Sequence, residues 1–103
     1  MEMDRDEDCG KITYTIKGSL AGLNDEAVQM FGSISQDLDA MESTIDIDLE
    51  KVSFTDSLAI GLLTGVLLKA GGLHRTVKMV KVPDHIRSLF ETLHLRKAFP
   101  EAY

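Results

Sequence analysis

Three stretches of this chain repeat their apolar residues at every second position, and the segments between and after them repeat theirs at every third or fourth. Ile12, Tyr14 and Ile16 alternate with Lys11, Thr13, Thr15 and Lys17. Ile45, Ile47 and Leu49 alternate through Thr44 to Leu49, and Val77, Met79 and the neighbouring Val80 and Val82 supply a third run over Thr76 to Val82. A period of two buries one face of a strand, whereas spacings of three and four draw a stripe down one side of a helix. The helical stripes are Ala27, Val28, Phe31, Ile34, Ser35 and Leu38, then Ala59, Ile60, Leu63, Leu67 and Ala70, and finally Ile86, Leu89, Phe90 and Leu93. Strands alternating with helices bury both kinds of face by laying helices on a sheet, so the fold class is α/β. Met1 to Arg5 reads as a short edge strand or a loose tail; with the strand, the expected order is β-β-α-β-α-β-α.

The punctuation agrees. Asp6 to Gly10 reads as an acidic turn, so residues 1–10 form an edge strand and turn ahead of the first core strand, which Gly18-Ser19 ends. Asn24 or Asp25 caps the first helix, with Asp25 and Glu26 at its positive end. Glu50-Lys51 kinks the second core strand, and Val52 and Phe54 continue it. Asp56-Ser57 opens the apolar helix and Gly71-Gly72 closes it. Pro83 stops the third strand, Asp84 caps the last helix, and Leu95, Ala98 and Phe99 fold back over the core. No repeat or linker divides residues 1–103, which read as one domain.

Charge narrows the function. The 17 acidic residues outnumber the 11 Lys and Arg, giving a net charge of -6, and nucleic-acid binding requires clustered cations to neutralise phosphates. An anionic membrane surface is disfavoured for the same reason. The longest apolar run, Leu58 to Leu68, is far short of the roughly 20 residues that span a bilayer, so no direct membrane insertion is expected. The single Cys9 has no partner for an internal disulfide and sits among carboxylates that oppose its ionisation. With no basic-then-apolar leader, a soluble cytoplasmic protein is expected.

The most informative segment is Val52 to Leu63, where a strand ends and Asp56-Ser57 stands at a helix start. The first N–H groups of a helix lack acceptors and carry partial positive charge, so an anion on Ser57 would be stabilised there. Cap chemistry alone, at about 1 kcal/mol, would also explain Asp or Ser at this point. The helix wheel adds a second signal. At about 100° per residue, Ala59, Ile60, Leu63, Leu67 and Ala70 face the sheet, while Leu58, Gly61, Gly65 and Lys69 form the opposite arc, flanked by Leu62 and Leu68. A surface helix normally carries charges on that arc. Glycines beside leucines there make a face that another backbone can approach, so Asp56, Ser57, Leu58, Gly61, Leu62, Gly65, Leu68 and Lys69 are the candidate partner-binding residues.

The run Ile45-Asp46-Ile47-Asp48-Leu49, Val52-Ser53-Phe54, Asp56-Ser57 and Ile60-Gly61-Leu62-Leu63 resembles the core motif of STAS domains. The similarity continues through Gly71-Gly72, Val77 to Val82 and Leu93-His94-Leu95, with Gly18-Ser19-Leu20 upstream. The resemblance implies a mixed sheet of four to five strands backed by helices. It also implies an anti-sigma-factor antagonist that binds an anti-sigma factor, commonly a Ser/Thr kinase of the ATPase fold, and is switched by phosphorylation of the loop serine, here Ser57. A phosphate adds about -1.5 to -2 charges, which are costly to desolvate in a docked interface. This sequence departs from the family pattern at Leu58, Ala59 and Ala21. The alternative is therefore a constitutive STAS subunit of a larger assembly, such as a lipid-trafficking ABC transporter.

Other chemistry finds little support. His74, His85 and His94 pair with no His or Cys at ligand spacing, so neither a metal nor a cofactor is expected. His94 reads as a left-handed residue ending the last helix. Ser57 lacks the Gly-x-Ser-x-Gly elbow of a nucleophile, and no catalytic residue is assigned. Leu58, Leu62 and Leu68 as exposed leucines would also suit a homodimer.

Overall fold

The computed structural model describes residues 1–40, 44–100 and 102–103. Strand β1 (Glu2–Asp8) turns into β2 (Lys11–Leu20), followed by helix α1 (Asp25–Ala40), β3 (Thr44–Thr55), α2 (Ser57–Gly72), β4 (Val77–Val80), α3 (Asp84–Thr92) and a one-turn α4 (Leu95–Ala98). The sheet is mixed, in the order β1-β2-β3-β4; β1 runs antiparallel to β2, and β2, β3 and β4 are parallel. The expected order is present, with α4 added.

Period-two burial sets the layers. Ile12, Tyr14, Ile16, Ile45, Ile47, Leu49, Val77 and Met79 are buried on the face covered by α1, α2 and α3, together with Met30, Phe31, Ile34, Ile60, Leu63, Ile86 and Phe90. The alternate residues make a largely solvated face, on which Asp46 is buried and paired with Lys11 at 2.9 Å and Lys81 lies 3.7 Å from Asp48. β1 is exposed along its whole length and mostly acidic, which blocks edge-to-edge pairing. The other sheet edge is met by the Met79 N–H, which donates to Ala102 O at 2.6 Å.

Several local readings are corrected. The acidic residues Asp6 to Asp8 belong to β1, and the turn is Cys9-Gly10 alone, both at positive φ as a two-residue hairpin requires. Gly18, at φ 94, bends β2 instead of ending it; the strand continues to Leu20 past a register shift. Glu50-Lys51 likewise falls at a register shift inside one long β3. β4 stops at Val80 because Lys81 turns left-handed at φ 52, two residues before Pro83. Pro83, not Asp84, is the N-cap of α3 and supplies no side-chain bond. Gly71-Gly72 does close α2, as expected, and the left-handed residue beyond it is His74. His94 does adopt the expected left-handed backbone, φ 58 and ψ 33. Val28 is half-exposed, with Met30 filling the stripe in its place, and Ala98 is exposed while Ala102 is buried.

A polar tie joins β1, β2 and α1. The Arg5 guanidinium donates to both Asp37 oxygens at 3.0 and 2.9 Å, the Tyr14 hydroxyl donates to Asp37, and Tyr14 and Ser33 hydroxyls lie 2.9 Å apart. Burial raises the Asp37 pKa, but the bonds from Arg5 and Tyr14 outweigh it and hold the carboxyl below its ordinary 3.8. A depressed folded-state pKa contributes stability that is present above pH 4 or so and is lost as pH falls through the folded value. Asp37→Asn is expected to flatten the acid limb of a stability-versus-pH curve below about pH 4; denaturant titrations from pH 2 to 7 check this.

Candidate functional site

The end of the sheet where β2 and β3 finish carries the candidate site. Asp56 is the N-cap of α2, in extended conformation at φ -131 and ψ 171. Its Oδ1 accepts from the Ala59 N–H at 2.8 Å and also from the Gly22 N–H at 3.1 Å. The first bond satisfies one of the helix's orphan donors. The second ties the β2–α1 loop to the start of α2. Thr55 Oγ1 adds a third tie, donating to Leu20 O at 2.9 Å.

Gly22 is buried in this junction. A Cβ there would lie 2.5 Å from Leu58 Cγ, 2.6 Å from Leu58 Cβ and 2.7 Å from the Ala59 nitrogen. Only a residue without a side chain lets the loop lie against the helix start. The sequence reading missed Gly22, because Ala21-Gly22-Leu23 looks like any turn; nothing in it announces contact with a segment some 35 residues on.

Ser57 is the first residue of α2 and is exposed, so Asp56 caps the helix and leaves the serine facing solvent at the positive end of a 16-residue helix. Ala59, Ile60, Leu63, Leu67 and Ala70 are buried as expected, with Val66 added. On the outer side Leu58 is 49% exposed, Leu68 is 63% exposed, and Gly61 and Gly65 are exposed. The helix is therefore not sealed by its own chain. Gly61 and Gly65 have no internal purpose: a Cβ at either would meet nothing within 4 Å.

Two members of the predicted set are less open than the others. Leu62 is only partly exposed and packs against the core. Lys69 turns toward α1, its ammonium donating to Ser35 O at 3.2 Å, Ser35 Oγ at 2.6 Å and Asp39 at 2.9 Å. On the wheel both lie on the edge of α2 nearest α1, so the open ridge runs through Ser57, Leu58, Gly61, Gly65 and Leu68. Leu23, 86% exposed, and Phe54, 51% exposed, extend the apolar surface beyond α2 at the same end of the sheet.

Among the described residues no group of three or more His, Cys, Asp or Glu could hold a metal ion, and no helix is long and apolar enough to cross a membrane.

Comparison with known proteins places this geometry. The family model described as "Mlab, STAS domain" matches residues 5–100. The unphosphorylated anti-sigma factor antagonist SpoIIAA superposes with a TM-score of 0.70 at 20% identity, over 87% of this chain and 82% of that one. The phosphorylated form of SpoIIAA, a cell fate determinant of Bacillus, gives a TM-score of 0.73 at 21% identity, over 93% and 86%. The structure of Mglu gives 0.66 at 14% identity, over 81% of this chain but 20% of that longer chain. Identities this low establish a common fold. No curated protein sequence matches the chain.

Proposed function

The chain belongs to the family of STAS domains described as "Mlab, STAS domain", and from that premise we propose that it is a regulatory protein-binding domain of the anti-sigma-factor-antagonist type, docking through the outer ridge of α2 and switched by phosphorylation of Ser57. The observation that carries this reading is that Gly61 and Gly65, one turn apart with empty space above them, share the outer ridge of α2 with the exposed Leu58 and Leu68. Each glycine costs about 1 kcal/mol relative to alanine. No packing contact among the described residues offsets that cost, whereas a partner backbone lying close along Gly61 and Gly65 would.

Ser57 fits the switch on physical grounds. A phosphate on its exposed hydroxyl would sit at the positive end of α2, where the helix stabilises it in the free protein. In a docked complex the same charge would be stripped of water beside Leu58 and next to Asp56, and that cost releases the partner. The partner implied by the likeness to an anti-sigma factor antagonist is an anti-sigma factor or Ser/Thr kinase.

A second reading rests on the uncharged ridge. Leu58 and Leu68 are exposed apolar residues, and α2 carries no charged residue before Lys69. A surface of that kind suits a permanent subunit contact, as in a STAS component of a transporter assembly, which would be indifferent to Ser57→Ala.

The test begins with affinity purification from the native cell and phosphosite mapping of the recovered chain. Phosphate on Ser57, with Ser57→Glu weakening the recovered complex at least tenfold, supports the switch; an unmodified Ser57 and unchanged affinity support the permanent subunit. Docking itself is tested by Gly61→Ala/Gly65→Ala. The free domain gains about 1–2 kcal/mol of stability, raising Tm by roughly 5–10 °C. Affinity for the recovered partner falls about tenfold or more, because two methyl groups enter a close backbone contact. Calorimetry of binding reads the second effect, and unchanged affinity would remove α2 from the interface.

A further inference from the structure

Leu23 is the most exposed large apolar side chain among the described residues. It precedes Asn24, whose Oδ1 accepts from the Glu26 N–H at 2.8 Å and so caps α1. Leu23 and Val28 thus hold the two positions that pack together as a hydrophobic staple across a helix start. That role accounts for little of the leucine, since Leu23 remains 86% exposed and Val28 49% exposed. Nor is the loop slack. Asn24 N–H donates to Ala21 O at 3.0 Å, Gly22 N–H donates to Asp56 at 3.1 Å, and Gly22 lies hard against Leu58 and Ala59. A leucine presented on backbone pinned through the neighbouring Gly22 against Leu58 and Ala59 has little backbone freedom left to lose on docking.

The charged side chains nearest Leu23 in sequence, Asp25 and Glu26, are acidic, and the N-terminal amine lies against Glu26. The sequence holds no Lys or Arg between Lys17 and Lys51, and none between Lys51 and Lys69. Asp25 and Glu26 stand exposed in the first turn of α1, Glu26 lying 3.6 Å from the N-terminal amine, and Asp56 lies at the base of the loop. A two-fold pairing of this end with a second copy would set these acids against themselves.

We propose that Leu23 and Leu58 together enter an apolar pocket of a protein partner whose rim carries Lys or Arg facing Asp25 and Glu26. The proposal rests on the reading of α2 as the docking face and adds Leu23 as the residue that sets specificity.

The test places a photo-cross-linking residue at position 23, at position 68 on the α2 ridge, or at position 78 on the open sheet face, in the full chain in its native cell. Positions 23 and 68 capture the same protein, position 78 does not, and the peptide joined to position 23 is apolar with flanking Lys or Arg. With that protein purified, Leu23→Asp weakens binding about 30-fold or more, as loss of a buried anchor does, and leaves Tm unchanged; the association rate falls as salt rises. Capture at 68 without 23, or binding by Leu23→Asp within twofold of the parent, overturns the anchor and leaves the α2 reading standing. Capture at neither position overturns both. An association rate indifferent to salt overturns the basic rim, and a cross-link between two copies of this chain overturns the choice of partner.

Discussion

Gly22→Ala is expected to lower the stability of the free domain by about 2 kcal/mol, in the range of overpacked sites, and its Tm by roughly 10 °C. The added methyl would lie 2.5–2.7 Å from Leu58 and from the backbone nitrogen of Ala59. Leu58 could swing aside. Ala59 could not, because its N–H is bound to Asp56 and begins the helix. The loop must therefore lift, lengthening the bond from the Gly22 N–H to Asp56. Gly32→Ala provides the control: it lies in an exposed position of α1, its Cβ would meet nothing within 4 Å, and it should gain up to 1 kcal/mol or so from helix propensity. Opposite signs for two glycine-to-alanine changes, read by thermal and denaturant unfolding, would confirm that space and not backbone freedom fixes Gly22.

Asp56→Ala is expected to cost about 2–4 kcal/mol. One part is the lost helix cap, about 1 kcal/mol. The other is the Gly22 N–H, which is buried and loses its acceptor, at about 1–3 kcal/mol. Both bonds are accepted by the same oxygen, Oδ1. Asparagine offers an equivalent oxygen and caps helices equally well, so Asp56→Asn should retain most of the stability, losing less than about 1 kcal/mol. If Asp56→Asn is as damaging as Asp56→Ala in urea unfolding, the negative charge and not the acceptor geometry is what the junction uses.

These two residues also show where sequence reasoning succeeds and where it stops. Asp56-Ser57 before an apolar helix was legible because capping is local: the acceptor, the orphan donor and the helix lie within four residues. The buried faces of β2, β3 and α2 were legible because periodicity is local too. Gly22 was not, since its constraint comes from Leu58 and Ala59 across the fold. The same holds for the outer side of α2. A helix wheel separates sheet-facing from outward positions, but it cannot say that Leu62 packs partly against the core or that α1 lies along one flank and draws Lys69 onto Ser35 and Asp39. The wheel also sees only one element, so Leu23 and Phe54, which extend the exposed apolar surface from a loop and a strand end, were invisible to it.

Helix and strand ends were misread for a different reason. Proline at 83 is a strong local stop signal, yet β4 ends at Val80; α2 does end at Gly72, but the chain turns at His74 and Lys81, both left-handed without being glycine. A left-handed turn at such residues costs on the order of 1 kcal/mol, small beside the burial of Val77, Met79 and Val82 that the turns permit. Tyr14 shows both sides of the matter in one residue. Its alternation with Thr13 and Thr15 marked it as buried, while its hydroxyl partners, Ser33 and Asp37, could be found only in three dimensions.

The account stands on α2 offering its outer ridge to another protein. Amide hydrogen exchange of the free chain and of its complex with the protein recovered from the native cell tests this directly. Slowed exchange confined to residues 57–68 and the 21–24 loop, with the open sheet face around Lys11 and Lys78 unchanged, is the predicted result. Slowing on that sheet face or along β1, with α2 exchanging as in the free chain, would contradict it.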